Sequence, residues 1–188
     1  ANELITATLA AARRGGGLLN RIADMTGPRE HMPAPTDLSA FLGDLETLAR
    51  STLPDGVSFA VNNLAAGRAF LLDPGMLQDS LLNLVLNARD ACGETGRIAL
   101  TAACVQDTWL EFVVTDTGPG FSEYALAHAL DPFFTTKGGE GSGLGLSMVY
   151  DMTKLAGGRV QLSNTDTGGR VSLRLPLRPA DDADTPGM

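Results

Sequence analysis

The chain has 188 residues, enough for one ordinary domain with a real core plus an appendage. Acidic residues outnumber basic ones 22 to 14, for a net charge of −8, and no basic stripe is present. That pattern argues against nucleic-acid binding and, weakly, against docking on anionic lipid. The longest mostly apolar stretches, such as Leu81 to Leu86 with Asn83 inside it, fall far short of the roughly 18 residues a membrane span needs, and no signal segment opens the chain. No direct membrane contact is therefore expected from this chain. Cys92 and Cys104 have neither metal spacing nor a disulfide framework, as expected of two reduced thiols in a cytoplasmic domain.

Residues Glu3 to Met25 place Leu4, Ala11, Leu18, Ile22 and Met25 on an approximate helical stripe, interrupted at Gly15, Gly16 and Gly17. Each glycine costs about 1 kcal/mol relative to alanine in a helix, and a lone stripe needs a partner to cover it. Gly27 to Pro35 holds three prolines and a glycine and reads as a linker. Thr36 and Asp37 offer caps for a helix with Leu38, Phe41, Leu42, Leu45 and Leu48 on one face. The turn Pro54-Asp55-Gly56 leads to strand-like residues Val57 to Val61 and a short apolar run, Ala69 to Leu72.

Asp73-Pro74 starts a helix that runs to about Ala91, with proline where its missing N–H is harmless. Strands follow near Ile98 to Val105 and Trp109 to Thr115, then a long glycine-containing connection after Asp116. A helix from about Gly143 to Leu155 ends at Gly157-Gly158, and the last strands lie near Arg159 to Ser163 and Val171 to Leu175. The acidic tail reads as frayed. Helices and antiparallel-looking strand pairs in blocks predict an α+β chain, a two-layer α/β sandwich with an N-terminal helix.

Four segments carry chemistry. On the Pro74 to Ala91 helix, Asn83, Asn87 and Asp90 fall within about 60° of one another, opposite Leu77, Leu81, Leu84, Val85 and Ala88. A solvated face would read the same way, but an asparagine oxygen also suits Mg²⁺ delivered by a nucleotide. Asp116-Thr117-Gly118-Pro119-Gly120-Phe121 follows an apolar strand. It is either an ordinary turn or a carboxylate placed to accept from an adenine amine, with glycines that let the backbone approach a flat base. Gly141-Ser142-Gly143-Leu144-Gly145-Leu146 opens a helix whose N–H groups suit phosphate. It is not a Walker loop, and it fails the dinucleotide spacing at Leu146 and Gln161. Asp131-Pro132-Phe133-Phe134-Thr135-Thr136-Lys137 lies within the long connection, as a mobile cover or as a loop completing the core.

These four segments, in this order, resemble the catalytic domain of sensor histidine kinases, within the gyrase, Hsp90, histidine kinase and MutL superfamily. Leu82 to Ala91 looks like the N box, Asp116 to Phe121 the first glycine box, Asp131 to Lys137 the F box, and Gly141 to Gly145 the second glycine box. The resemblance implies a Bergerat-type ATP-binding fold, with ATP and Mg²⁺ as cofactors. It implies that Asn87 coordinates Mg²⁺, Asn83 supports the phosphates and Asp116 binds the adenine amine. It also implies that Gly118 and Gly120 shape the base pocket, while Gly141, Ser142, Gly143, Leu144 and Gly145 line the phosphates under a lid from about Ser122 to Glu140. Lys137 or Arg89 would neutralise phosphate charge. The chain departs from the family at Asp90, where a basic residue is common, and at Gly169, where a threonine is common.

Hydrolysing members of the superfamily carry a glutamate base four residues before the magnesium asparagine. Here Asn83 stands there, and a carboxamide takes up no proton at neutral pH. That favours transfer, in which positioning and Mg²⁺ suffice. The only histidines, His31 and His128, fit no phosphoacceptor pattern. The expected organisation is therefore residues 1–26 as the second helix of a dimerisation and phosphotransfer hairpin, 27–35 as linker, 36–178 as the catalytic domain and 179–188 as a flexible tail. Its partners would be a histidine-bearing hairpin of the same or a partner chain, a response regulator receiver domain and a second copy in a homodimer. The chain is expected to be cytoplasmic, whether or not its parent protein is membrane-anchored. Two alternatives remain at this point: an anti-sigma-type serine kinase or regulator of the same superfamily, and a non-catalytic binding module.

Overall fold

The computed structural model describes residues 31–131 and 145–180. The helix read at Glu3 to Met25, the start of the linker, the segment Pro132 to Leu144 with Lys137, and the tail from residue 181 lie outside the described residues.

Strand β1 (Ala34–Asp37) runs into helix α1 (Leu38–Arg50), where the Asp37 carboxylate accepts from the Ala40 N–H as N-cap. Leu38, Phe41, Leu42, Leu45 and Ala49 form the buried stripe of α1. Leu48, expected in it, is exposed, because at ~100° per residue it points about 80° away from Leu38. Strands β2 (Val57–Asn63) and β3 (Ala69–Leu72) precede helix α2 (Pro74–Cys92). Asp73 caps α2 by accepting from the Met76 N–H, and Gly93 ends it at a positive φ of +71°, which favours glycine. Strands β4 (Gly96–Val105) and β5 (Trp109–Asp116) form a hairpin. A six-residue helix, α3 (Glu123–His128), follows; then come α4 (Gly145–Leu155), β6 (Arg159–Thr165) and β7 (Gly168–Pro176).

Among the described residues the main sheet has five strands in the order β2-β4-β5-β7-β6, and β1 pairs separately with β3. The pairs β4–β5, β5–β7 and β6–β7 are antiparallel, as expected. The pair β2–β4 is parallel, from Val57 opposite Gly96 to Asn63 opposite Ala102, so the sheet is mixed. Parallel neighbours require a crossover, and α2 supplies it. The N-box helix is thereby laid across the sheet, where it packs on β4, β5, α1 and α4.

The result is the expected α+β two-layer sandwich. Inward residues of alternate strand positions (Phe59, Ile98, Leu100, Phe112, Leu173) meet Leu45 of α1, Leu81 and Val85 of α2, and Val149 of α4 in one core. On the opposite sheet face, Glu111 accepts from Ser172 Oγ and Arg174 Nε, both at 2.7 Å. Burial pushes the Glu111 carboxyl up. The hydrogen bonds from Ser172 and Arg174, with the charges of Arg174 and Arg170, outweigh it and hold the group below the ordinary glutamate range. Among the described residues, no helix is long and apolar enough to cross a membrane.

Candidate functional site

The alternation of β5 places Leu110, Phe112, Val114 and Asp116 on its buried face. A carboxylate thus ends a row of core side chains, at the rim between sheet and helices. Buried carboxylates need hydrogen-bond donors, and Asp116, only 8% exposed, has two. The N–H of Gly118 donates to its Oδ1 at 2.8 Å, and the N–H of Gly169, at the start of β7, donates to the same oxygen at 3.2 Å. Both donors converge on Oδ1, which leaves Oδ2 as an acceptor for something else.

Thr117, Gly118 and Gly120 of the first glycine box each have a local reason. Thr117 pairs with β4: its N–H donates to the Arg97 carbonyl, and its hydroxyl accepts from the Arg97 N–H at 3.0 Å. Gly118 lies against the C-terminal end of α2, where a Cβ would come within 2.7 Å of the Ala91 carbonyl oxygen. Gly120 turns the chain at φ +74°. These contacts bind the first glycine box to the helix that carries the N box.

A cleft of about 400 Å³ opens beside Asp116. Its wall combines Leu84, Asn87, Ala88 and Ala91 of α2 with Val114, Gly120, Phe121, Leu146, Gly169 and Val171. An apolar slot with a single carboxylate at one end suits a flat heterocycle bearing an amine. At the cleft's other end, Gly145 opens α4 beside the N box. A Cβ on it would lie 3.6 Å from Asn87 Nδ2 and 3.9 Å from Asn83 Oδ1. Both carboxamides therefore stand next to the N-terminus of a helix of 11 residues, the end that attracts anions. A second cleft of about 450 Å³ lies beneath the first half of α2, lined by Met76, Ser80, Met152 and Leu173. Asp73 borders it too, but that carboxylate is engaged by the N–H groups of Met76 and Met32. None of the described residues of the four motifs lines that cleft.

Of the residues singled out in the sequence, Asn87, Asp116 and Gly120 line one cleft; Gly118 lies against its Ala91, and Gly145 lies beside Asn87 and Asn83. Lys137, Gly141, Ser142, Gly143 and Leu144 lie outside the described residues. Arg89 turns elsewhere: its Nε and Nη2 donate to Asp90 Oδ1 at 2.8 and 2.6 Å, and Nη1 reaches the Thr52 carbonyl at 3.5 Å. The cation–acid pair at 89 and 90 thus joins α2 to the end of α1. His128 bonds to Asp131 Oδ2 at 2.9 Å and lies against the Tyr124 ring at a tilt of 45°, a local helix-end arrangement. The sequence reading gave Phe121 no role beyond its place in the first glycine box, and it missed the clamping N–H of Gly169 and Asn164 behind them. The glycine pair Gly168-Gly169 ahead of an apolar strand was the available signal. At Gly168 an added Cβ would come within 2.1 Å of the Asp116 carbonyl oxygen, so only glycine fits.

Comparison with known proteins gives a consistent result. The family model described as histidine kinase-, DNA gyrase B-, and HSP90-like ATPase matches residues 72–179. Similar curated proteins include the two-component sensor PprA of Pseudomonas aeruginosa, 40% identical over 108 residues that cover 54% of this chain and 12% of that protein. The sensor histidine kinase ZraS of Escherichia coli O157:H7 is 40% identical over 106 residues, covering 56% and 23%. The sensor kinase CckA of Brucella abortus is 30% identical over 192 residues, covering 92% and 20%. The chain thus spans less than a quarter of these relatives. Among solved structures, full-length ShkA in complex with AMPPNP superposes at TM-score 0.80 and 26% identity, covering 95% of this chain and 39% of that one. A nucleotide-free catalytic domain of histidine kinase ThkA superposes at TM-score 0.69 and 26% identity, covering 77% and 97%. With the family model matched over more than half its length, the chain belongs to the histidine kinase-, DNA gyrase B- and HSP90-like ATPase family.

Proposed function

We propose that this chain is the ATP-binding catalytic part of a two-component sensor histidine kinase. It would pass the γ-phosphate of Mg-ATP to a histidine on a helical hairpin of the same or a partner chain, for relay to an aspartate of a response regulator receiver domain. The observation that carries the reading is Asp116, a buried carboxylate whose Oδ1 holds two backbone N–H groups while Oδ2 remains to accept from the adenine amine. The cleft's apolar walls match a purine ring, and the asparagines of α2 stand at its opposite end, beside a helix N-terminus.

Within this reading Asp116 selects the base, and Gly118 and Gly120 let backbone lie against it. Asn87 offers a neutral oxygen to Mg²⁺, Asn83 supports the phosphates, and Gly145 continues the backbone cradle begun by Gly141 to Leu144. Lys137 is the cation assigned to phosphate charge, because Arg89 is engaged with Asp90 and Thr52. The bound metal ion supplies Lewis-acid neutralisation of charge on the phosphate oxygens. The acceptor imidazole nitrogen attacks the γ-phosphorus in line, the bond to the bridging oxygen breaks, and ADP leaves. No base from this chain is required. Asn83, where hydrolysing relatives place glutamate, cannot activate water.

The domain assignment follows: residues 1–26 belong to the hairpin, 27–35 link it to the catalytic domain 36–178, and 179–188 form the tail. The hairpin would pair two copies, and the catalytic part would act in the cytoplasm. Titration with a fluorescent ATP analogue tests the pocket. Wild type should bind with Mg²⁺-dependent affinity, Asn87→Ala should lose the Mg²⁺ dependence, and Asp116→Ala should lose the base-dependent affinity. Equal binding by all three would refute the assignment.

A further inference from the structure

Behind the base wall of the cleft lies a contact that none of the four motifs contains. Asn164 is on β6, directly opposite Gly169 in the β6–β7 hairpin. Its Oδ1 accepts from the Phe121 N–H at 2.7 Å, and its Nδ2 donates to the Phe121 carbonyl at 2.8 Å. The carboxamide therefore acts like one more residue of a β-ladder, tying the loop that leaves β5 to a hairpin 43 residues later. Gly120 presses against the same group, since a Cβ there would lie 2.8 Å from Asn164 Oδ1. Across the hairpin, a Cβ on Gly169 would lie 3.1 Å from the Phe121 ring and 2.8 Å from Asp116 Oδ2. Gly120, Phe121, Gly169 and Asp116 all line the cleft, whereas Asn164 does not.

We propose that Asn164 is a positioning residue for the nucleotide base: by clasping both backbone groups of Phe121 it fixes the width of the slot between Phe121 and Asp116. The proposal rests on the ATP-binding reading above and adds a residue to it. Asparagine is suited to the role because it offers one donor and one acceptor at the spacing of a peptide group. Aspartate keeps the acceptor for the Phe121 N–H but sets an oxygen against the Phe121 carbonyl. Alanine removes both bonds. The influence falls on the base end of the cleft and not on the Asn83, Asn87 and Gly145 end.

The test compares wild type, Asn164→Ala and Asn164→Asp for binding of ATP, ADP and adenosine, well below each variant's Tm. Losing a paired clasp is expected to weaken all three ligands by the same factor, roughly tenfold, with Asn164→Asp at least as weak as Asn164→Ala. The Mg²⁺ dependence of ATP binding should be unchanged, and combination with Asn87→Ala should be additive, because that residue serves the other end. A merely structural role predicts a lower Tm with unchanged affinity for all three ligands, and that result overturns the proposal. So does a loss confined to ATP and ADP. Amide hydrogen exchange on the ligand-free wild type needs no variant to fold. The Phe121 N–H should be protected like a strand amide, and rapid exchange there would refute the clasp. If the clasp is protected but wild type binds no adenosine ligand, the ATP reading itself fails and the role of Asn164 fails with it.

Discussion

Replacing Asp116 with asparagine should convert the base pocket from an acceptor to a donor without disturbing the fold. The side chains are isosteric, but the two backbone N–H groups of Gly118 and Gly169, which donate to Oδ1 at 2.8 and 3.2 Å, require an acceptor oxygen opposite them. The new amide must place its carbonyl oxygen there, which forces its NH₂ into the Oδ2 position. The adenine amine then meets a donor instead of a carboxylate oxygen. A hydrogen bond to a charged acceptor contributes about 1.5–3 kcal/mol, so ATP binding should weaken roughly 10- to 150-fold. Inosine triphosphate, with a carbonyl in place of the amine, presents an acceptor to that NH₂ and should be spared. The assay is competitive displacement of a fluorescent nucleotide by ATP and by inosine triphosphate, with thermal unfolding to check the fold. Affinity for ATP within threefold of wild type, or equal losses for both nucleotides, would refute the argument.

Other substitutions probe the same architecture. Gly118→Ala would drive a Cβ to 2.7 Å from the Ala91 carbonyl oxygen, and backbone yields less easily than a flexible side chain. A stability loss of about 1–3 kcal/mol in urea denaturation is expected, together with weaker ATP binding. Gly169→Ala would set a methyl 2.8 Å from Asp116 Oδ2, the oxygen assigned to the adenine amine. ATP affinity should fall roughly tenfold while ATP analogues lacking the amine are affected less. Glu111, held below the ordinary glutamate range, contributes stability that is present above its unfolded pKa and is lost as pH falls through the folded value. Glu111→Gln should therefore be less stable than wild type at pH 7, by about 1 kcal/mol, with the gap closing below about pH 4 in thermal melts. A gap independent of pH would contradict this.

What the sequence disclosed was mostly local. Caps at Asp37 and Asp73, the alternation of β5 and the core stripe of α2 follow from nearest-neighbour chemistry, and they place Asn83, Asn87 and Asp116 correctly relative to the elements that carry them. Pairing partners are a different matter. The strand near Ile98 pairs antiparallel with its hairpin neighbour as read, but it also runs parallel to the strand near Val57, because the helix between them crosses the sheet. The short strand β1 hides in a proline-rich stretch, since its pairing depends on β3 and not on its own composition. Helix α3 occupies a stretch read as lid, where Ser122 caps it by accepting from the Ala125 N–H. Of the two donors on Asp116, the Gly169 N–H comes from 53 positions away, and Asn164 reaches Phe121 from 43 positions away; such contacts leave little pattern in a single sequence.

The activity proposed for this chain is donation of phosphate to a histidine that is neither His31 nor His128. ATP labelled in its γ-phosphate, mixed with the chain alone and then with the histidine hairpin of its own parent protein, tests this most directly. The expected result is no acid-labile label on the chain alone and no sustained phosphate release, followed by label on the hairpin that disappears with Asn87→Ala. Label mapped to His31 or His128, or steady hydrolysis without any hairpin, would contradict it.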